Sequence, residues 1–148
     1  MYIISVTLTL IFITHVLQIQ DMDSIWLFPL IMFLLDSVYL RQTGMYYNAI
    51  VTSIQGSEIH ARYVSAFFCY VLLAFGLYYF ILRENRPAYE AFILGVVIYG
   101  VFETTIYTIF KKWRMGAVIL DTVWGGVLFY LTTLFVYKTR TLRLSVGR

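Results

Sequence analysis

The sequence predicts an all-α integral membrane protein, a single domain that forms a bundle of five transmembrane helices with short loops. Of its residues, 61% are hydrophobic and only 13% are charged, whereas about 25% of the residues of a soluble domain are charged. The apolar residues fall into five segments of about the length that crosses a bilayer, without alternating β patterning. Only helices and closed barrels satisfy their backbone groups in lipid, so we expect helices.

Polar turns separate the five predicted helices. The helices cover about residues 2–19, 25–42, 63–82, 89–110 and 115–137, and a basic tail follows at 138–148. The first segment lacks the basic start and small-residue cleavage site of a signal peptide, so we expect it to be retained. This pattern predicts a multi-pass protein whose main partner is the lipid bilayer. The net charge of +3 is small, and its basic residues cluster at segment ends, as at a headgroup layer and not as in a nucleic-acid-binding surface.

The connections place the helix boundaries in order along the chain. An acidic turn at 20–24 offers N-cap residues for the second helix. The connection 44–62 is the longest, and its apolar residues predict a helical extension that lies at the membrane interface. Pro87 helps to start the fourth helix. The basic hairpin "KKWR" (111–114) is so short that the fourth and fifth helices must be antiparallel neighbours.

Three acidic residues, Asp36, Glu103 and Asp121, lie inside apolar segments. Glu103 and Asp121 are nine residues before and after residue 112 in the hairpin, which puts both about 10–13 Å from the turn at about 1.5 Å per residue. Asp36 lies near the end of a helix on the same side, at a similar or slightly shallower depth. A charge that faces lipid costs about 2.5–3.5 kcal/mol. We therefore expect the three carboxylates to meet in one polar site inside the bundle.

Each of these acids shares a helix face with an aromatic side chain that can donate a hydrogen bond, three or four positions away. Gly125 lies on such a face and permits close approach between helices. The candidates for binding a ligand or ion are Asp36, Glu103, Asp121, Tyr39, Tyr99, Tyr107 and Trp124. Three carboxylates so close together would not all stay ionised. We expect either a bound proton or a small cation among them.

Other kinds of site have no signal in the sequence. No histidine or cysteine spacing is typical of a metal site, and phosphate-binding loops and nucleophile elbows are absent. The single cysteine, Cys69, excludes an internal disulfide. We predict no cofactor, and the sequence identifies no catalytic residue.

Three stretches carry a resemblance to a known family: "AFFCYVLLAFGLYYF" (66–80), "GVVIYGVFETTIYTIFKKW" (95–113) and "VILDTVWGG" (118–126). They resemble a family of small predicted membrane proteins catalogued as domain of unknown function 2177, which has four helices. The resemblance covers about residues 30–137. It implies a four-helix core to which the helix at 2–19 is an addition. It also implies an acid at each of the positions of Asp36, Glu103 and Asp121.

The chain departs from the family pattern at three positions. Glu103 stands where the family usually has Asp, Ile106 where it usually has Asn, and Tyr39 where it usually has Trp. The change to Ile106 removes an amide that could serve as a polar partner in the site. The family name implies no activity, so the resemblance bears on the fold and the site and not on a reaction.

Three kinds of function stay open, in order of preference. The first is a transporter or channel for protons or a small cation. A chain of this size would form a conduction path as a homo-oligomer, although a single bundle could host a proton relay. The second is a structural or partner-binding membrane protein in which the acids form interhelical contacts. The third is a membrane enzyme that acts on a lipid or other small molecule, because paired carboxylates can perform acid–base chemistry.

Overall fold

A computed structural model describes the backbone of residues 24–146 and the side chains of residues 27–141, and this part of the chain is helical. Helix α1 covers Ser24–Gln55, and α2 covers Tyr63–Leu77 and continues into a π-helical turn at Tyr78–Leu82. Helix α3 covers Ala88–Ile109, and α4 covers Met115–Val146. The prediction of an all-helical protein is confirmed.

Three helices in the described part of the chain are long and apolar enough to cross a membrane: Tyr63–Leu82, Ala88–Ile109 and Met115–Thr141. They correspond to the third, fourth and fifth predicted segments, and the protein is an integral multi-pass membrane protein. The predicted total of five spanning helices is not supported. The segment 2–19 lies outside the described residues, and 25–42 is part of α1, which is not among the three over the residues searched.

Helix α1 is longer than the sequence predicts. We expected a helix over 25–42 and a helical extension at the membrane interface within 44–62, and one continuous helix extends to Gln55. Gly44 lies within this helix, where a glycine costs only about 1 kcal/mol relative to Ala. The helix ends before Gly56, whose φ of 76° is in the left-handed region that favours glycine.

The bundle is built around α4, which packs against α3 on one side and α1 on another. As the short hairpin predicts, α3 and α4 are antiparallel neighbours, and they are the most extensively paired elements. Their backbones touch at Gly95 and Gly125, where a Cβ added to Gly95 would overlap the Gly125 carbonyl. Helix α2 packs against α1, and its π-helical turn reaches α3.

The apolar side chains are divided between a core and a lipid-facing exterior. Leu128 and Phe129 of α4 are fully buried and pack in one cluster with Leu77, Leu82 and residues of α1. The outer face of α2 exposes large apolar side chains along its length. A water-soluble monomer rarely exposes so extensive an apolar surface, but a bilayer would cover it.

Candidate functional site

Asp36 joins three helices through its carboxylate. It lies in α1 and is only 8% exposed. Its Oδ1 accepts a hydrogen bond of 2.8 Å from the indole Nε1 of Trp124 on α4, and its Oδ2 accepts one from the hydroxyl of Tyr70 on α2. Both oxygens therefore accept a hydrogen bond from a neighbouring helix.

Asp121, on α4, is bound by two phenols of α1. Its Oδ1 accepts hydrogen bonds from the hydroxyls of Tyr39 at 3.0 Å and Tyr47 at 3.4 Å. The two hydroxyls also lie 3.0 Å from each other. Tyr39 and Tyr47 are eight positions apart, so they lie on the same face of α1 and converge on one carboxylate of the neighbouring helix.

Glu103, on α3, is the most buried of the three acids, with 1% exposure. Its Oε2 accepts a hydrogen bond of 2.9 Å from the indole Nε1 of Trp113, in the α3–α4 connection. The carboxyl groups of Glu103 and Asp121 lie within hydrogen-bonding reach of each other. We call these two residues the carboxyl pair.

An aromatic stack connects Asp36 to the carboxyl pair. The ring of Tyr39 lies on the indole of Trp124 at a centroid distance of 4.5 Å and an angle of 8°. Tyr39 donates to Asp121 and Trp124 donates to Asp36. The stack therefore holds both donors in fixed positions between the acids, and one polar network joins all four helices.

The network contains no ion pair. In the described part of the chain the ion pairs are Arg83–Glu84 and Arg86–Glu90, in and beside the α2–α3 loop. The described residues also contain no group of three or more His, Cys, Asp and Glu side chains arranged to hold a metal ion. The buried acids therefore accept hydrogen bonds from indole and phenol donors and form no ion pair with a basic side chain of the described residues.

The seven residues predicted for the site lie in three kinds of environment. The network contains Asp36, Glu103, Asp121, Tyr39 and Trp124. Tyr99 instead packs its ring against Gly125, close to the network, but its hydroxyl has no hydrogen bond to a described residue. Tyr107 is 42% exposed on the outside of α3. A functional role for these residues stays a prediction.

Three further residues of the network are not among the predicted candidates: Tyr47, Tyr70 and Trp113. Tyr47 shares the helix face of Asp36 and Tyr39, and this spacing could have identified it. Trp113 is a donor within the hairpin, ten residues from Glu103, beyond the reach of helical spacing. Tyr70 is on α2, which carries no buried acid, so only the packing of α2 against α1 reveals its contact with Asp36.

One polar group beside the network has no partner. The hydroxyl of Thr122 is buried and forms no hydrogen bond with a described residue. Thr122 follows Asp121 on α4 and faces Gly100 on α3, one turn from Glu103. An unpaired buried hydroxyl is uncommon in folded proteins, and this one lies in the contact between α3 and α4.

Comparison with known proteins identifies the family. Residues 8–138 match the family of predicted membrane proteins known as DUF2177. The match covers most of the chain, so the protein belongs to this family, and the resemblance noted from the sequence is confirmed. The match begins at residue 8 and not near 30, so it includes most of the segment 2–19 that we expected to be an addition. No curated protein and no solved structure matches the chain.

Proposed function

We propose that the carboxyl pair Glu103–Asp121 binds a proton inside the membrane and that the protein transports protons or a small cation through this site. A chain of 148 residues would form the path by association of two or more copies. The proposal goes beyond what membership of the family implies, since the family is defined as membrane proteins without an assigned activity.

The observation that carries the proposal is the contact between the two carboxyl groups. An ionised carboxylate only accepts hydrogen bonds, so two carboxyls within hydrogen-bonding reach need a proton or a cation between them. No basic side chain is ion-paired with either acid in the described part of the chain. The pair is therefore suited to take up and release a positive charge.

The location of the pair supports the same conclusion. Carboxylates within transmembrane segments are costly and mark proton relays or ion pathways in many membrane proteins. Glu103 lies in Ala88–Ile109 and Asp121 in Met115–Thr141, both long and apolar enough to span a bilayer. A second acid beside the first offers a place to which a proton can transfer.

A flux assay tests the proposal. Purified protein in liposomes is exposed to a proton gradient and then to gradients of common monovalent cations. We expect flux from the wild type and at least a tenfold loss in Glu103→Gln. The substitution preserves the volume, and its amide can donate to Asp121 as a protonated Glu103 would, so the fold is preserved while the titrating group is lost.

The matched control is Glu58→Gln, which makes the same chemical change at an exposed position in the α1–α2 loop. It should leave the flux at the wild-type level. Equal flux from the wild type and Glu103→Gln would contradict the proposal, as would a wild-type protein without flux under any gradient.

Substitution of Thr122 distinguishes a proton from another cation as the transported species. Its unpaired hydroxyl is an oxygen ligand that a small cation could use and that a shared proton does not need. We expect Thr122→Val to retain proton flux. If cation flux is observed, its loss in Thr122→Val would indicate that the cation binds at the pair.

A second candidate function is structural. Each acid accepts a hydrogen bond from a residue of another element: Trp124 and Tyr70 on Asp36, Tyr39 on Asp121. Such bonds also fix helices in a membrane, at about 0.6 kcal/mol on average. If the acids serve only this purpose, Glu103→Gln will change thermal stability or assembly while no flux is found in any variant.

A further inference from the structure

The geometry points to Tyr47 and Trp113 as an aromatic gate that controls access to the carboxyl pair from the hairpin end of the bundle. This inference rests on the proposed function, since a gate matters only at a site that exchanges its proton or cation. It assigns a role to two residues that lie outside the spanning helices and still reach the buried acids.

Both residues lie at the same end of the bundle. Trp113 is in the α3–α4 connection, between Ile109 and Met115. Tyr47 is in the C-terminal half of α1, which two basic side chains hold against this connection. Lys112 Nζ donates to the Ser53 carbonyl at 2.6 Å, and the Arg114 guanidinium lies 5.9 Å from the centre of the Tyr46 ring.

Both gate residues donate inward, each to a different member of the carboxyl pair. Trp113 Nε1 donates to Glu103 and the Tyr47 hydroxyl donates to Asp121. Their rings are neighbours, with centroids 6.5 Å apart. They therefore form a layer between the exposed hairpin and the pair, in which Glu103 is 1% exposed and Asp121 is half-buried.

The opposite direction is closed by tight packing between helices. Gly95 meets the backbone of Gly125, and the ring of Tyr99 covers Gly125. Farther along α4, Leu128 and Phe129 are fully buried. Backbones and large rings in tight contact move less readily than two side chains held by one hydrogen bond each to the pair. The pair therefore exchanges with the hairpin side when Tyr47 and Trp113 move apart.

Carboxyl footprinting tests this gate without any transport assay. The protein in nanodiscs is treated with a water-soluble carbodiimide and glycine ethyl ester, and labelling of each acid is quantified by mass spectrometry. The exposed Glu58 in the α1–α2 loop is the internal standard for full labelling. In the wild type we expect little labelling of Glu103 and Asp121 relative to Glu58.

The variants Trp113→Phe and Tyr47→Phe each keep the ring and remove one donor to the pair. We expect each to raise labelling of Glu103 and Asp121 by about tenfold, because a hydrogen bond to a charged group is lost. Labelling of Asp36, which bonds to Tyr70 and Trp124 instead, should not rise. The matched control is Tyr63→Phe, which removes a phenol hydroxyl at a position 84% exposed and should change nothing.

Two results would overturn the gate. One is unchanged labelling of Glu103 and Asp121 in both variants. The other concerns the order of labelling in the wild type. With longer reaction times we expect Glu103 and Asp121 to be labelled before Asp36. The reverse order would show that the reagent does not enter at the hairpin end. A variant that unfolds would label all three acids together, and the wild-type order then decides.

Transport and gating fail in distinguishable ways. If the gate variants raise labelling of the pair but the wild type shows no flux, the transport proposal is contradicted and the gate is supported. Flux that depends on Glu103, combined with labelling that neither variant changes, would remove the gate and leave transport.

Discussion

At the scale of single residues, hydrogen-bond chemistry distinguishes the three buried acids. Asp36 has both oxygens engaged by donors, from Trp124 and Tyr70. Glu103 and Asp121 instead meet each other. We therefore infer that Asp36 serves as an acceptor that joins helices, and we propose that Glu103 and Asp121 hold a proton between them.

This difference predicts that neutral substitutions at the two sites lower the stability of the protein by different amounts. Asp36→Asn should lower the free energy of unfolding by about 2 kcal/mol, because one of the two acceptor oxygens becomes an amide donor and a hydrogen bond from Trp124 or Tyr70 is lost. Glu103→Gln should cost less than about 1 kcal/mol, since the amide can replace the shared proton as donor. Thermal unfolding in detergent, followed by near-ultraviolet circular dichroism, gives both values. A larger loss in Glu103→Gln than in Asp36→Asn would contradict this assignment.

A double-mutant cycle tests the contact between Asp36 and Trp124. Trp124→Phe keeps a ring to stack on Tyr39 but removes the indole donor. We expect the effects of Asp36→Asn and Trp124→Phe on stability to be non-additive by about 1–2 kcal/mol, as for residues in direct contact. Additive effects would show that the bond contributes nothing to stability.

At the scale of secondary-structure elements, the α3–α4 pair determines where the acids can meet. Glu103 and Asp121 are equally far along the chain from the hairpin, and the antiparallel packing of α3 on α4 brings them to the same level. The contact between Gly95 and Gly125 brings these two helices close enough for their carboxyls to touch. Small residues at such crossings are typical of membrane helices.

The glycine contact predicts a severe effect of one added methyl group. Gly95→Ala should destabilise the protein at the upper end of the about 1–3 kcal/mol range for overpacked cores, because the new Cβ meets backbone atoms. Gly76→Ala is the matched control, since Gly76 lies in a spanning helix with nothing within 4 Å of an added Cβ. The control should be neutral or slightly stabilising. Equal thermal stability of the two variants would contradict the close crossing.

The sequence predicted these elements unequally well. The bounds of α2 and α3 agree within one residue at the ends with the segments 63–82 and 89–110, because charged and proline-containing turns separate long apolar runs. For α1, the predicted segment 25–42 covers only the apolar part of the helix. The extension that we expected at the membrane interface continues the same helix to Gln55.

At the scale of the whole molecule, the arrangement of the loops defines two sides of the membrane. The α3–α4 hairpin and the end of α1 are on one side, joined by the bond from Lys112 to the Ser53 carbonyl. The α2–α3 loop is on the other side. There, Tyr137 donates to the Arg86 carbonyl at 2.6 Å and Arg140 to Asn85 Oδ1 at 2.8 Å.

Sidedness can be measured with single cysteines in a Cys69→Ser background. Cysteines at Ser57 and Lys111 should react with an impermeant maleimide from the same side of sealed vesicles. A cysteine at Glu84, in the α2–α3 loop, should react only from the other side. Labelling of all three positions from one side would contradict the path of the chain through the membrane.

The meeting of three acids in one polar layer could be anticipated because depth follows from counting residues along helices. The donors Trp113 and Tyr70 could not, because they reach the acids from outside the helices that carry those acids. Their contacts depend on how the helices are rotated and packed, which periodicity along one segment does not determine.

Infrared spectroscopy of the carboxyl groups is the most direct test of the central claim, that Glu103 and Asp121 hold a proton between them. A protonated carboxylic acid has a C=O stretch that is distinct from the bands of a carboxylate. We predict such a band in the wild type at neutral pH and its loss in Glu103→Gln, with the band unchanged in the control Glu58→Gln. Absence of the band from the wild type, or its persistence in both Glu103→Gln and Asp121→Asn, would contradict the account.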